Sequence, residues 1–282
     1  MDDKAPAWVV PVMRAGYGAR ALVYLVVGGL ALSVVFWGGE AQGTQNALAD
    51  LKQVSFGSLL LWIIGLGLIA YMVWRIIDAA MDLEDYGDGA KGIFARLAQA
   101  VTGLIHGVLG VSVIGLAMGQ SGGGGGAKNW TARLMSLPYG PSLVAIVGGV
   151  VIAAGIYYIQ KGLRGKYRED IRITPVTERL DPLMRTGLIA EGVIVGIVGG
   201  FLLWAGLTSD PGEVGGVGQA LGYVRSLSFG AFLFAALALG LLCFALENAV
   251  EAIYRILPRQ AGPDVATLAS KAKAKAKSYA RS

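Results

Sequence analysis

Six stretches of the chain, 21–37, 58–74, 97–119, 142–159, 186–207 and 230–246, are long, apolar and nearly free of charge. A helix needs about 20 apolar residues to cross a hydrocarbon core, and each stretch is close to that length. A core helix of a water-soluble domain seldom runs so far without a polar face. The pattern predicts an all-α integral membrane protein with six transmembrane helices. Composition agrees: 55% of residues are hydrophobic and 15% charged, where a soluble domain has about a quarter charged.

The formal net charge of +5 sorts by loop. Of the 24 Lys and Arg, 20 lie before the first stretch, in the connectors after the second and fourth, and after the sixth. By the positive-inside rule both termini face the cytoplasm, with the spans in an inner (cytoplasmic) membrane. The opening "MDDKAPAWVVPVMR" lacks the layout of a cleaved signal, so the first span is expected to stay as an anchor. The single Cys243 excludes an internal disulfide.

The spans repeat. "RAGYGARALVYLVVGG" (14–29) aligns without gaps with "RTGLIAEGVIVGIVGG" (185–200), and more loosely with "AVTGLIHGVLGVSVIG" (100–115). The even spans open on "SFGSLL" (55–60), "PYGPSL" (138–143) and "SFGAFL" (228–233), each with an aromatic-Gly pair whose glycine ends the loop and lets the helix start tightly. The chain reads as three parallel two-helix units, expected to stand around a pseudo-threefold axis normal to the membrane. The expected divisions are an N-terminal segment 1–13; repeat 1 at 14–82 with spans 21–37 and 58–77; an acidic connector 83–97; repeat 2 at 98–164 with spans 97–119 and 142–160; a basic connector 165–183; repeat 3 at 184–258 with spans 186–207 and 230–250; and a disordered polybasic tail 259–282. Each outside loop holds a short amphipathic stretch, "NALADLKQ", "WTARLMSL" or "VGQALGYVRSL", suited to lying at the interface.

The pattern R-x-G-x-x-x-[RE] leading the odd spans, the aromatic-Gly entry and the connector "DLEDYGDGAKG" (82–92) resemble the bacterial membrane family called domain of unknown function 1206. The likeness covers roughly residues 14–258, although the middle unit has Ala100 in place of the leading Arg. The resemblance implies tandem two-helix units, commonly three, and implies no activity.

In the repeat register, Arg20, His106 and Glu191 share one column. A charge at mid-span costs about 2.5–3.5 kcal/mol, so these groups should face the bundle and find partners there. An Arg20–Glu191 ion pair with a titratable His106 beside it is the expectation. A second polar tier stands at the cytoplasmic ends of the even spans, where Arg75, Tyr158 and Asn248 coincide, as do Asp78, Lys161 and Glu251. Opposite charges from different repeats could pair there and close that end.

Other stretches carry less. "SGGGGG" (121–126) lacks the Lys-Ser/Thr of a phosphate loop and reads as flexible linker. One histidine and one cysteine give no basis for a catalytic residue, a metal site or a cofactor. The tail "ASKAKAKAKSYARS" suits anionic lipid headgroups better than nucleic acid. The connector 82–92 reads as a solvated loop. Two non-enzymatic functions fit: a small-solute or ion binding and translocation site lined by the ionisable residues, or an accessory scaffold that organises lipids or an unknown membrane protein partner.

Overall fold

The computed structural model describes residues 8–40, 42–120, 126–257 and 267. The glycine run at 121–125 and, apart from Thr267, the basic tail at 259–282 lie outside the described residues. The helices are α1 (Val9–Trp37), α2 (Thr44–Asp50), α3 (Gly57–Met81), α4 (Ala90–Ala117), α5 (Gly126–Met135), α6 (Gly140–Arg164), α7 (Pro175–Thr208), α8 (Val217–Ser226) and α9 (Gly230–Tyr254). Six of them, α1, α3, α4, α6, α7 and α9, are long and apolar enough to cross a bilayer. The short helices α2, α5 and α8 fall on the three amphipathic loop stretches. The first helix of each unit starts well before its apolar stretch, at Val9, Ala90 and Pro175. These extensions leave polar residues on helical scaffolding. Pro175 and a Thr174–Thr177 capping box explain the early start of α7.

The aromatic-Gly entry works differently from the expected glycine turn. In all three units the aromatic residue takes the left-handed conformation, with φ of 63° at Phe56, 61° at Tyr139 and 60° at Phe229. The glycine is already the first helical residue. A Cβ on Gly57, Gly140 or Gly230 would sit 1.7, 2.1 or 2.1 Å from the carbonyl oxygen of Leu51, Leu134 or Arg225. Glycine is required for the close approach of the preceding loop segment, and the strain falls on the aromatic neighbour. Phe56, Tyr139 and Phe229 are all over 80% exposed, as suits rings anchored at a membrane interface.

Helix neighbours follow one order: α4 against α3, α3 against α1, α1 against α9, α9 against α7, and α7 against α6. The third unit thus returns to the first. The middle unit breaks threefold equivalence, because α4 and α6 share no interface comparable to α1–α3 or α7–α9. Residue size accounts for the difference. In unit 1, Cβ atoms added to Gly16 and Gly67 would lie 2.6 Å from Tyr71 Cα and 2.4 Å from Ala19 Cβ. In unit 3, the equivalent Gly187 and Gly240 lie against Phe244 and Ala190 in the same way. The middle unit has Thr102 and Ala154 for the first pair, and Ile105 and Val150 for the second. Branched side chains replace glycine and alanine where backbones must approach. Ile105 and Val150 are accordingly exposed.

Each middle helix pairs outside its own unit through glycines. On α4, Gly103, Gly107 and Gly110 lie against Arg75, Met72 and the Gly65 carbonyl of α3. On α6, Gly148, Gly155 and Gly162 recur every seven residues and meet α7, whose Gly192, Gly199 and Gly206 recur likewise. That heptad spacing keeps one small face along a left-handed crossing. The principal apolar core lies between α1, α3 and α9, around Val23, Val27, Ile64, Leu68, Ala238 and Leu241.

Candidate functional site

Tyr17, Arg20 and Tyr24 stand at i, i+3 and i+7 on α1 and so share a helix face. That face, together with the other five long helices, builds a polar interior. Arg20 Nη1 donates to the Tyr71 hydroxyl at 3.0 Å. Its guanidinium carbon lies 4.8 Å from the Tyr71 ring centre and 5.5 Å from that of Phe244. Tyr24 donates to Glu191 Oε1 at 2.7 Å and packs edge-on to Phe244. Phe244 in turn neighbours Tyr158 of α6. On the other flank the His106 ring lies 4.9 Å from Tyr71, with Nδ1 2.8 Å from the Thr102 carbonyl one turn back.

Arg20, His106 and Glu191 are therefore linked through tyrosines. No Arg20–Glu191 pair occurs among the ion pairs of the described residues. Arg20 is buried and its Nε has no hydrogen-bond partner. Nearby Glu247, 4% exposed, accepts no hydrogen bond and enters no ion pair among the described residues. Its electrostatic neighbours are Glu251, Lys161, Arg20 and Arg255.

The other two arginines of this region are treated differently. Arg75 Nη1 lies 3.1 Å from both Asp78 and Glu84, while Nε and Nη2 donate to Tyr71 and Tyr17. Arg255, just past α9, pairs with Glu84 and Glu251 and lies 3.6 Å from Asp170. Glu84 is shared by both arginines and also accepts from Gln99 at 2.7 Å and Tyr86 at 2.8 Å. Burial works to raise the Glu84 carboxyl, but the Arg255 and Arg75 guanidiniums outweigh it and hold the group well below the usual carboxylate range. Burial pushes Asp170 up, against the pull of Arg255 and Lys161.

The connector 82–92 is expected to be a solvated loop; most of residues 85–91 are exposed, but 82–84 are drawn inside. Leu83 is fully buried and the Glu84 side chain only 5% exposed. Asp82 holds the turn by accepting the backbone N–H groups of Tyr86 and Gly87. The acids anchor the adjoining ends of α3, α4 and α9 to one another.

Of the second tier, Arg75 and Asp78 pair within α3. Glu251 goes to Arg255, and Asn248 donates to the Phe244 carbonyl of its own helix. Lys161 and Tyr158 are half-buried on α6, and neither enters an ion pair among the described residues. Pairing between units is carried instead by Glu84 and Arg255, which the repeat register does not single out.

Three segments, 15–82, 88–165 and 186–255, match the model of a family described as Domain of Unknown Function (DUF1206). The chain is similar to the "Uncharacterized protein YxxB" of Bacillus subtilis (strain 168), 27% identical over 259 residues that cover 90% of this chain and 94% of that protein. No solved structure matches. With six membrane-spanning helices and three successive matches covering most of its length, the chain belongs to the DUF1206 family.

Proposed function

We propose that the interior between Arg20, Glu191 and Glu247 is a non-catalytic binding site for a small charged solute or group, on a route across or within the cytoplasmic membrane. The Lys and Arg sidedness supports a placement with both termini, and this end of the bundle, toward the cytoplasm. One observation carries the reading. Arg75 and Arg255 each have at least two carboxylates in ion-pair range, whereas buried Arg20 has none. An unpaired buried charge is costly, and the cost falls when a ligand supplies the opposite charge. Separation by tyrosines leaves Arg20 available to an anion and the two glutamates available to a cation. A scaffold held together by packing alone would gain by letting Arg20 and Glu191 neutralise each other.

The test uses cysteine accessibility in a Cys243→Ala background. His106→Cys and Tyr158→Cys, on the two helices that flank the interior, should react with a small water-soluble thiol reagent in intact membranes. Reaction at rates matching a lipid-facing control such as Val108→Cys, exposed on α4, would refute the reading.

A further inference from the structure

The site reaches the edge of the molecule between two particular helices. Its aromatic arc runs from His106 on α4 through Tyr71, Phe244 and Tyr24 to Tyr158 on α6. α4 and α6 are the one neighbouring pair in that circuit without an extensive interface. His106 and Tyr158 are both partly exposed although their rings lie against the interior aromatics. The opening is written into the residues, since Thr102, Ile105 and Val150 replace the small residues that close the other two units. It faces the bilayer. Ile105, Val108, Ile146 and Val150 on its two flanking helices are all more than 60% exposed.

Depth narrows the ligand further. Arg20 immediately precedes its apolar stretch at 21–37, and Glu247 immediately follows 230–246. Tyr158 and Tyr71 stand near the ends of 142–159 and 58–74. Arg20 and Glu247 thus lie at the boundary between apolar and polar parts of the helices, with Glu191 just inside the start of 186–207, near the level at which lipid headgroups of one leaflet sit.

Resting on the binding-site reading above, we infer that the ligand is a zwitterionic phospholipid headgroup that enters from the bilayer between α4 and α6, its phosphate at Arg20 and its ammonium at Glu191 and Glu247. Guanidinium is suited to phosphate by its fork of donors. Glu191 Oε1 is taken by Tyr24, which leaves its second oxygen for the ammonium. Glu247, buried and without hydrogen bond or ion pair, is a second acceptor. The chemistry is shared by a phosphoethanolamine lipid and by its soluble glycerophosphoethanolamine core, and the experiment separates them.

The full chain is extracted from bilayers of equal phosphatidylethanolamine and phosphatidylglycerol, and the retained lipid is read by native mass spectrometry. The wild type is expected to retain phosphatidylethanolamine about tenfold over phosphatidylglycerol, the scale of one charge-assisted contact. Glu191→Gln should remove that preference, Arg20→Gln should lose both lipids, and Arg164→Gln, at the exposed end of α6, should behave as wild type. If Arg20→Gln fails to fold, the isosteric Glu191→Gln decides. Equal retention of the two lipids by the wild type, or unchanged preference in Glu191→Gln, overturns the inference. Full displacement of lipid by millimolar glycerophosphoethanolamine overturns the bilayer source and leaves the charged site standing. Absence of any retained lipid together with unreactive His106→Cys defeats both readings.

Discussion

Replacing Glu84 by alanine is expected to cost the folded state about 3 kcal/mol, measured by denaturant titration in mild detergent with tryptophan fluorescence. The side chain is an acceptor for the buried Arg255 and half-buried Arg75 guanidiniums, an amide and a phenol at once. The figure sits at the low end for breaking a buried pair because Arg75 keeps Asp78 and Arg255 keeps Glu251. Asp88→Ala is the control. That side chain is fully exposed at 3.6 Å from Arg96, and its removal should leave the transition unmoved. The same group gives a pH signature. The folded Glu84 carboxyl is depressed, so its contribution is complete above the unfolded value of about 4.3 and fades as pH falls toward the folded one. Asp170 is shifted the opposite way, so the comparison belongs in an Asp170→Asn background. There the stability difference between the chain with Glu84 and the same chain carrying Glu84→Gln should shrink as pH falls from 6 to 3.

Gly155→Val should release α6 from the bundle. A Cβ there would lie 2.7 Å from Gly192 O and Gly196 N and 2.9 Å from Gly196 Cα, all backbone atoms that no side-chain rotation can move aside. The helices must separate, and among the described residues α7 is the only long helix with which α6 shares an extensive interface. Overpacking costs about 1–3 kcal/mol in cores that can adjust, and this rigid contact should reach or pass the upper figure. Six residues away on α6, an added Cβ at Gly149 meets nothing within 4 Å. Gly149→Ala should therefore stabilise, by up to about 1 kcal/mol from helix propensity. Opposite signs at two glycines of one helix would show that backbone contact, not glycine content, holds the α6–α7 pair. Equal effects at both positions would contradict it.

The residues that made the architecture legible are those whose signal is local or periodic. Uncharged stretches mark the spans, and the aromatic-Gly pairs at 56–57, 139–140 and 229–230 mark the same entry geometry three times. The open middle unit was also visible in principle, as Thr102, Ile105 and Val150 in columns that elsewhere hold Gly or Ala. The interior was harder to read because its connecting residues are not repeated. Tyr17 and Tyr24 share columns with Gly103 and Leu188, and with Gly110 and Val195, so comparing repeats hides them. The Tyr-Arg-Tyr face at 17, 20 and 24 was the available signal. Glu84 and Arg255 escaped for a different reason. Their burial depends on the chain after α9 folding back on the 165–174 connector, where Arg172 N donates to Tyr254 O at 2.9 Å and Ile256 N to Asp170 O at 2.8 Å. No local pattern announces a non-local pairing of that kind.

The most direct measurement is an experimental density map of the full chain in a phospholipid nanodisc. The account predicts α4 and α6 standing apart, His106 and Tyr158 turned to the shared interior, and headgroup density beside an Arg20 that touches no protein carboxylate. A map with α4 packed on α6 across Ile105 and Val150, or with Arg20 bound directly to Glu191, would contradict it.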